Sequence, residues 1–389
     1  RFIMANLKVN TVSGIGTEGT VFDGGLKFRS KNYLTLPKGT TTERTATSSG
    51  ISTETGSIRY NTDSNKMECY IGDKWMIVST SSPNLDGGTR GFAAGGASTG
   101  GYSATVDFYT IPTQGNAQDF GDLSRAKGNG VAGFASKTRG VAAGGFSPTA
   151  HYNTIDFITM SSTGDGTDFG DLTSNREGPM GLSSATRGIA ATGWSRGGPG
   201  AAQATIDFVT IASEANALDF GDMVAGSNYG AGAASPTRGI LLGGNNESPA
   251  AGMKSRIEFI TIASTGDAQQ FGDLTLNHFY NITAASNSTR ALAWGGTYPD
   301  TSTATNIIEF ITIATRGNGV DFGDTTRAVS APMATASSTR SVCYGGNGGG
   351  DNIIEYVQIA TQGNAVDFGD TLSGGKYGGA GFSNGHGGL

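Results

Sequence analysis

The sequence predicts an all-β fold, and three observations lead to this prediction. Glycine accounts for 64 of the 389 residues, more than twice its usual share of about 7%, as is typical of a chain with many tight turns between short strands. No segment carries apolar residues at the 3.6-residue period of an amphipathic helix over three turns. Phe-Gly-Asp occurs six times and Thr-Arg eight times, and six of the Thr-Arg pairs alternate in fixed order with Phe-Gly-Asp, so most of the chain consists of copies of one strand-rich repeat.

The repeat is defined by the spacing of these two motifs. Phe-Gly-Asp recurs every 46 to 51 residues, and the Thr-Arg pairs in register recur every 48 to 52 residues. Phe-Gly-Asp begins at Phe120, Phe169, Phe220, Phe271, Phe322 and Phe368, and Thr-Arg begins at Thr89, Thr138, Thr186, Thr237, Thr289 and Thr339.

Each repeat contains four strand-like segments. The first follows Thr-Arg and ends in glycines (residues 140–145), and the second is rich in β-branched and aromatic residues (154–159). The third surrounds Phe-Gly-Asp (218–223), and the fourth is small and apolar (130–136). Four strands per repeat of about 50 residues predict one blade of a β-propeller, and six repeats predict six blades. A fourth segment is missing before the first repeat and present at residues 377–382, so we expect the C-terminal strand to close the first blade.

The spacing and the glycine doublets resemble kelch repeats. The third copy departs from the doublet and reads Gly193-Trp194, and the Tyr and Trp usual downstream of the kelch doublet are missing. The resemblance therefore implies a kelch-like propeller architecture and no activity or partner. The doublets are Gly95-Gly96, Gly144-Gly145, Gly243-Gly244, Gly295-Gly296 and Gly345-Gly346.

The composition divides the chain into three parts: a β-rich N-terminal domain (residues 1–80), a linker (81–88) and the repeats (89–389). Residues 1–88 hold 10 basic and 8 acidic side chains and contain no copy of the repeat, whereas the remainder is acidic with 16 and 24. Alternating residues at 26–29 and 33–36 predict strands. Residues 56–78 predict three short strands with turns at 63–65 and 72–73. Strands this short bury little, so we expect them to pack on another domain or chain.

Residues 56–78 resemble a hairpin motif that is common in tail fibres and other structural proteins of tailed phages. The repeats, with Asp-Phe-Gly-Asp and Thr-Arg-Gly, resemble virion structural proteins of marine phages, particularly those of cyanobacteria. The two resemblances together cover roughly residues 56–389. They imply a virion component whose N-terminal part anchors to the particle and whose propeller faces outward. The hairpin residues that match are Gly56, Arg59, Tyr60, Asn61, Glu68, Tyr70, Gly72 and Trp75.

Charged side chains repeat in register at three places in the repeat. One interpretation is a ring of calcium sites or catalytic carboxylates. The other, which we favour, is structural: the acids cap turns and pair with the six arginines, because an active site occurs once whereas these residues occur in every copy. The arginines are Arg90, Arg139, Arg187, Arg238, Arg290 and Arg340. The acids of the second segment are Asp107, Asp156, Asp207, Glu258, Glu309 and Glu355, and those after Phe-Gly are Asp122, Asp171, Asp222, Asp273, Asp324 and Asp370.

The repeats differ most in the loop between the glycine doublet and the second segment. These loops carry Tyr102, Tyr152, Trp194 and Tyr298 among Ser, Thr, Asn and Gly. Because binding residues on a repeat scaffold lie where the copies diverge, these aromatics are the candidate ligand-binding residues, for a sugar or a protein partner. The alternative is that they pack on the rim of the blades.

Several classes of site and partner are disfavoured. The acidic repeats disfavour nucleic acid, and no apolar run approaches the roughly 20 residues of a membrane span. Cys69 and Cys343 give no disulfide framework, and His151, His278 and His386 share no short metal-ligand spacing. We therefore predict no metal, no cofactor, no catalytic residue, no nucleic-acid partner and no membrane insertion.

The predicted function is that of a non-enzymatic, tail-fibre-like protein on the virion surface. Residues 1–80 would bind other virion proteins and assemble a homo-oligomer, with a trimer favoured as in other fibre proteins. The propeller loops would bind a host-surface glycan or protein. One alternative is a capsid or tail decoration protein that stabilises the particle, and a second is a propeller glycan hydrolase.

Overall fold

The structure is a computed structural model. It describes residues 36–45, 55–64, 66–78, 89–98, 100–195, 201–245, 255–275, 281–297, 303–347, 352–372 and 374–389. The chain divides into two compact units, Arg1–Pro83 and Asn84–Leu389, here named the N-terminal and C-terminal units. The strands predicted at residues 26–29 and 33–36 lie outside the described residues, apart from residue 36.

The N-terminal unit contains one four-stranded sheet in the order β1-β2-β3-β4. β1 is parallel to β2, and β2, β3 and β4 form the antiparallel meander predicted from the two turns. A 3₁₀ helix (Thr42–Thr45) follows β1. Within the described part of this unit, Asn61 and Glu68 are the buried residues and both are polar, so the sheet has no apolar core of its own. The strands are β1 (Lys38–Gly39), β2 (Ile58–Asn61), β3 (Lys66–Ile71) and β4 (Lys74–Ile77).

The C-terminal unit is all-β in its described residues and follows the repeat of the sequence. Its first three repeats contain β5 (Arg90–Ala94), β6 (Ala97–Ser98), β7 (Gly101–Tyr102), β8 (Thr105–Thr110), β9 (Gln118–Asp122), β10 (Ala132–Ala135), β11 (Arg139–Ala143), β12 (Phe146–Ser147), β13 (Ala150–His151), β14 (Thr154–Thr159), β15 (Thr167–Asp171), β16 (Met180–Ser183), β17 (Arg187–Ala191), β18 (Trp194–Ser195), β19 (Ala201–Ala202), β20 (Thr205–Thr210), β21 (Leu218–Asp222) and β22 (Ala231–Ala234). The remaining repeats contain β23 (Arg238–Leu242), β24 (Arg256–Thr261), β25 (Gln269–Asp273), β26 (Thr283–Ser286), β27 (Arg290–Trp294), β28 (Thr305–Thr312), β29 (Val320–Val329), β30 (Met333–Ala336), β31 (Arg340–Tyr344), β32 (Ile353–Gln358), β33 (Val366–Asp370) and β34 (Ala380–Ser383).

Of these thirty strands, twenty-four form six four-stranded antiparallel sheets, which we number in chain order, and the other six form two-stranded hairpins. The C-terminal strand β34 pairs with β5, with Phe382 opposite Phe92, as its sequence predicts. The first strand of every other sheet comes from the end of the preceding repeat. The sheets are sheet 1 (β34-β5-β8-β9), sheet 2 (β10-β11-β14-β15), sheet 3 (β16-β17-β20-β21), sheet 4 (β22-β23-β24-β25), sheet 5 (β26-β27-β28-β29) and sheet 6 (β30-β31-β32-β33).

The apolar core lies between consecutive sheets. Phe92 and Phe382 of sheet 1 pack with Ile158 of sheet 2, and equivalent clusters join sheets 2 and 3, 3 and 4, 4 and 5, and 5 and 6. A sixth cluster joins sheet 6 to sheet 1 through Tyr344 and Tyr109. Sheet packing in the described residues therefore follows a cyclic order.

Two kinds of glycine permit this packing. A Cβ on Gly121 of Phe-Gly-Asp would lie 2.5 Å from a carbonyl oxygen in the turn of the next repeat. In the doublet, both residues have positive φ, but the second has the larger value, as at Gly145 (φ 103°). The strand register places Thr192-Gly193, not Gly193-Trp194, at the doublet of the third repeat. Thr192 is tolerated because its φ of 64° lies in the left-handed region that other residues can enter at a cost.

Candidate functional site

Short hairpins follow the glycine doublet in the first three repeats and carry two of the four candidate aromatics, Tyr102 and Trp194. Each hairpin is two strands of two residues: β6 with β7, β12 with β13, and β18 with β19. Isolated bridges fix each hairpin to the loop that precedes an innermost strand: Ala97 to Tyr377, Phe146 to Gly128, and Trp194 to Glu177. The hairpins therefore hold their side chains on a fixed backbone.

Four rings from these three hairpins form a continuous row, which we name the aromatic arc: Tyr102, Phe146, His151 and Trp194. Tyr102 meets Phe146 edge-on at 5.8 Å between ring centroids, Phe146 meets His151 at 4.9 Å, and His151 meets Trp194 at 5.2 Å. All four residues are half-buried, so the arc is at once packed and accessible.

The predicted aromatics do not all belong to the arc. Tyr152 lies beside it, because its hydroxyl group donates to Ser147 and the guanidinium group of Arg125 stacks on its ring at 5.0 Å. Tyr298 lies outside the described residues. Of the four predicted aromatics, the structure therefore places Tyr102 and Trp194 in the arc.

Phe146 and His151 complete the arc and were missed by the sequence reasoning. A signal for Phe146 was present, because it occupies the first position after the doublet in its repeat. The same position is Trp194 in the third repeat and a polar residue in the last three, namely Asn245, Thr297 and Asn347. His151 gave no such signal, since its position is read only from its pairing with Phe146.

Glu177 is the acidic residue whose charge acts on the arc, at Tyr102. Burial raises the pKa of Tyr102, and the Glu177 carboxylate close by raises it further. The hydroxyl oxygen of Tyr102 accepts a hydrogen bond from the Asn129 side chain at 3.0 Å. Both ring nitrogens of His151 are shielded from solvent, and neither has a hydrogen-bond partner in the described part of the chain.

A cavity of about 80 Å³ lies between the innermost strands, and one end of it is bounded by a cycle of backbone hydrogen bonds. Six residues that precede the innermost strands all have positive φ, and the N–H of each donates to the carbonyl of another member at 2.7 to 3.0 Å. The donors and acceptors form one closed cycle, which we name the peptide ring. In order of donation, its members are Gly130, Gly378, Ala331, Asn281, Tyr229 and Gly178.

The C-terminal tail lies at a second cavity of about 50 Å³, lined by His386 and the far ends of the innermost strands. His386 Nε2 lies 2.9 Å from the carbonyl oxygen of Ala135, and His386 Nδ1 accepts from the N–H of Gly388. This pattern defines a neutral imidazole with the proton on Nε2. Burial lowers the pKa of His386 to about 4, although its hydrogen bond to Ala135 acts in the opposite direction.

The six arginines of Thr-Arg have partners that differ from those expected. Instead of pairing with the repeated acids, each guanidinium group lies over the aromatic ring of its own sheet at 4.5 to 5.3 Å and donates to a carbonyl of the next repeat. Arg238, for example, stacks on Phe259 and donates to Ile313. Arg340 of the last repeat donates to Ile111 of the first. The carbonyl acceptors are those of Met160, Ile211, Ile262, Ile313, Ile359 and Ile111.

The acids that follow Phe-Gly also differ from the expected role. The backbone N–H of each, rather than its carboxylate, makes the repeated contact, and it donates to an Asn or Asp side chain in the turn of the next repeat. The turn residue, not the acid itself, is therefore the cap. The pairs are Asp122 with Asp165, Asp171 with Asn216, Asp222 with Asp267, Asp273 with Asn318, Asp324 with Asn364 and Asp370 with Asn116.

The repeated acids of the second segment lie on the third strand of each four-stranded sheet and are buried. Each contacts a residue of the segment that leads from the preceding sheet into its own sheet. In sheets 1 to 3 they are aspartates, each paired with a buried cation from the preceding loop: Asp107 with Lys376, Asp156 with Lys127, and Asp207 with Arg176. In sheets 4 to 6 they are glutamates, and each accepts a backbone N–H from the preceding repeat. These donors are Val224, Thr275 and Thr326.

In the ranges that the structure describes, His, Cys, Asp and Glu side chains do not gather in threes around a possible metal position. None of the described helices has the length and apolar character needed to cross a membrane. The chain matches no protein-family model and no curated protein.

Proposed function

We propose that the protein is a structural component of a phage virion, without enzymatic activity, that attaches to the host surface through its C-terminal unit. The aromatic arc is the observation that carries this proposal, since half-buried rings fixed on short hairpins suit a sugar or a protein partner. The phage assignment rests on the sequence resemblance of the hairpin and the repeats.

We further propose that the six sheets are the blades of a six-bladed propeller. The cyclic order of the six core clusters supports this architecture, as does the pairing of β34 with β5. The peptide ring supports it independently, because each of its six N–H donors comes from a different repeat and the cycle closes. A rigid ring of this kind would hold the arc in one shape before a partner binds.

The N-terminal unit is proposed to bind other virion proteins and to assemble a homo-oligomer, with a trimer favoured. Its sheet exposes apolar side chains on one face, where Ile58 is opposite Cys69 and Cys69 is opposite Met76. Ile58, Ile71 and Met76 are 46%, 58% and 52% exposed. A small sheet whose described residues form no apolar core gains stability from a partner that covers such a face.

Adsorption to host cells tests the proposed function. The labelled full-length chain is expected to adsorb to cyanobacterial cells of a susceptible strain and to block infection by the phage that carries it. A double variant, Tyr102→Ala with Trp194→Ala, should lose adsorption, whereas Asn347→Ala, on the polar part of the same face, should retain it. Antibody labelling should place the protein on the particle surface.

Three results would argue against this function. A chain that adsorbs to no cell and blocks no infection, yet is needed for particle stability, would favour a decoration protein. Hydrolysis of host polysaccharide by the pure chain would favour a glycan hydrolase. Absence of the protein from purified particles would remove the virion assignment.

A further inference from the structure

We propose that His151 is a ligand-binding residue, at the centre of a subsite on the aromatic arc that takes an uncharged sugar. This inference rests on the proposed attachment function and names the ligand class of the same site. It differs from the sequence-based prediction, which did not include His151.

The inference starts from the unmet hydrogen bonds of His151. Both ring nitrogens are shielded from solvent and lack a partner within the described residues. Leaving buried polar atoms unpaired destabilises a fold, so such groups in native proteins call for a specific explanation. A phenylalanine would fill the same space between Phe146 and Trp194 without that cost.

The position of His151 points to a ligand as the explanation. Its ring lies between Phe146 at 4.9 Å and Trp194 at 5.2 Å, in the middle of the arc rather than at its edge. The equivalent position holds alanine in the third hairpin, where Ala202 is opposite Trp194, and at the isolated bridge of the fifth repeat, where Ala304 is opposite Thr297. The hairpin itself therefore does not need an imidazole there.

The chemistry of the imidazole suggests a polyhydroxylated ligand. The ring nitrogens of an imidazole form hydrogen bonds as donors or acceptors, and hydroxyl groups are able to pair with either. The neighbouring rings provide flat apolar surfaces for the C–H faces of a sugar ring, while the polar edges remain available for hydrogen bonds. A small local shift of the rings is needed for a ligand to reach the nitrogens, as is common for side chains at binding sites.

The charge of the site argues for an uncharged sugar. Glu177 is buried close enough to Tyr102 to raise its pKa, and its backbone pairs with Trp194. The repeats as a whole hold 24 acidic and 16 basic side chains, and this net negative charge disfavours the approach of the carboxylate of an acidic sugar.

The decisive experiment compares folding stability and binding in His151→Phe. The full-length chain and the variant are applied to a printed array of neutral and carboxylated oligosaccharides, and their melting temperatures are measured without ligand. We expect the wild type to bind neutral glycans in preference to carboxylated ones. The variant should melt at the same or a higher temperature and bind about tenfold more weakly or worse.

A matched control and a second variant make the outcome unambiguous. Asn347→Ala should bind like the wild type. His151→Gln, which keeps one donor and one acceptor, should retain more binding than His151→Phe if hydrogen bonds to the ligand are the cause. Unchanged glycan binding in His151→Phe overturns the inference, and so does a wild-type chain that binds no glycan or prefers carboxylated ones.

Cell adsorption separates this inference from the proposed function. If the wild type and His151→Phe adsorb equally to host cells, and adsorption survives periodate oxidation of the cell-surface sugars but is lost after protease treatment, the partner is a protein. The attachment function then stands and the sugar subsite falls. If the wild type does not adsorb at all, the attachment function itself fails.

Discussion

Sheets 1 to 3 and sheets 4 to 6 solve the same problem of a buried acid in two ways. In sheet 2, Asp156 is short, and the space beside it is filled by Lys127, whose ammonium group lies 2.8 Å from the carboxylate. In sheet 4, Glu258 is one methylene longer and accepts the N–H of Val224 directly. The ion pair of sheet 2 is fully buried, whereas Arg256, which contacts Glu258, is about one-third exposed.

The difference teaches that what the repeat requires is a link between sheets, not a particular charge pair. A hydroxyl or amide of the preceding repeat contacts the acid in both halves, as Thr173 does for Asp207 and Thr275 does for Glu309. A fully buried cation accompanies the shorter acids, the aspartates of sheets 1 to 3. The aromatic arc lies on the same three repeats as the buried aspartates. The buried acids and the aromatic rings therefore divide the six repeats into the same two halves, the first three and the last three.

The largest effect expected from this comparison is that of removing a buried cation. Lys127→Met leaves Asp156 buried without its partner and should lower the free energy of unfolding by about 3–5 kcal/mol. Glu258→Gln keeps the length and the acceptor oxygen and should cost about 1 kcal/mol. Urea denaturation of the two variants measures the difference.

A double variant checks the cause of that effect. Lys127→Met combined with Asp156→Leu removes both charges and should recover most of the lost stability, because a buried ion pair is often no more stable than apolar residues of similar volume. Equal, small losses in Lys127→Met and Glu258→Gln would contradict the distinction between the halves.

The next largest effect concerns the innermost strand of each sheet. One position of this strand is glycine in sheets 1 to 4 and alanine in sheets 5 and 6, so the boundary differs from that of the buried acids. A Cβ on Gly133 of sheet 2 would lie 2.4 Å from the carbonyl oxygen of Gly381, whereas Ala334 of sheet 6 already carries a Cβ. Gly133→Ala should therefore destabilise the fold toward the upper end of the ~1–3 kcal/mol range of overpacking. Ala334→Gly should cost less than about 1 kcal/mol. Equal costs at the two positions would contradict the close approach.

A pH effect is expected from the tail, which contacts sheets 2 and 3 through His386. The folded-state pKa of His386 is about 4, below the ordinary value of 6.5, so the unfolded chain binds more protons between these values. Stability from this group is complete above pH 6.5 and is lost as the pH falls toward 4. Between pH 7 and pH 5 the loss should be about 2 kcal/mol, at about 1.4 kcal/mol per pKa unit.

Chemical denaturation at the two pH values measures this effect, with His386→Asn as the reference. The variant should lose that part of the pH dependence, because asparagine does not titrate. A wild-type chain whose stability falls no more steeply than that of His386→Asn would show that His386 is not buried in the neutral form.

Sequence reasoning predicted much of the fold and little of the site, for physical reasons. The order of strands in each sheet followed from the β-branched segments and glycine turns, which are local signals, and the pairing of β34 with β5 followed from counting them. Which repeats touch through a given side chain depends on the packing of sheets and is not local. For this reason the arginines were paired with the wrong partners, and the capping residues, such as Asn216, were not recognised. His151 was missed because only the register of β12 and β13 places it beside Phe146.

The smallest effect is expected where the two halves do not differ. Arg187 of sheet 3 and Arg238 of sheet 4 each stack on a phenylalanine, at 4.5 and 4.8 Å, and each donates to a carbonyl of the next repeat at 2.8 Å. Replacing either by alanine should lower stability by about 1 kcal/mol, since both side chains remain partly exposed. The melting temperature should fall equally in the two variants, and adsorption to host cells should be unchanged, because these contacts lie at the opposite ends of the strands from the doublets and the arc. A clear loss in Arg187→Ala without one in Arg238→Ala would mean that the division between the halves extends beyond the buried acids to the contacts that every repeat shares.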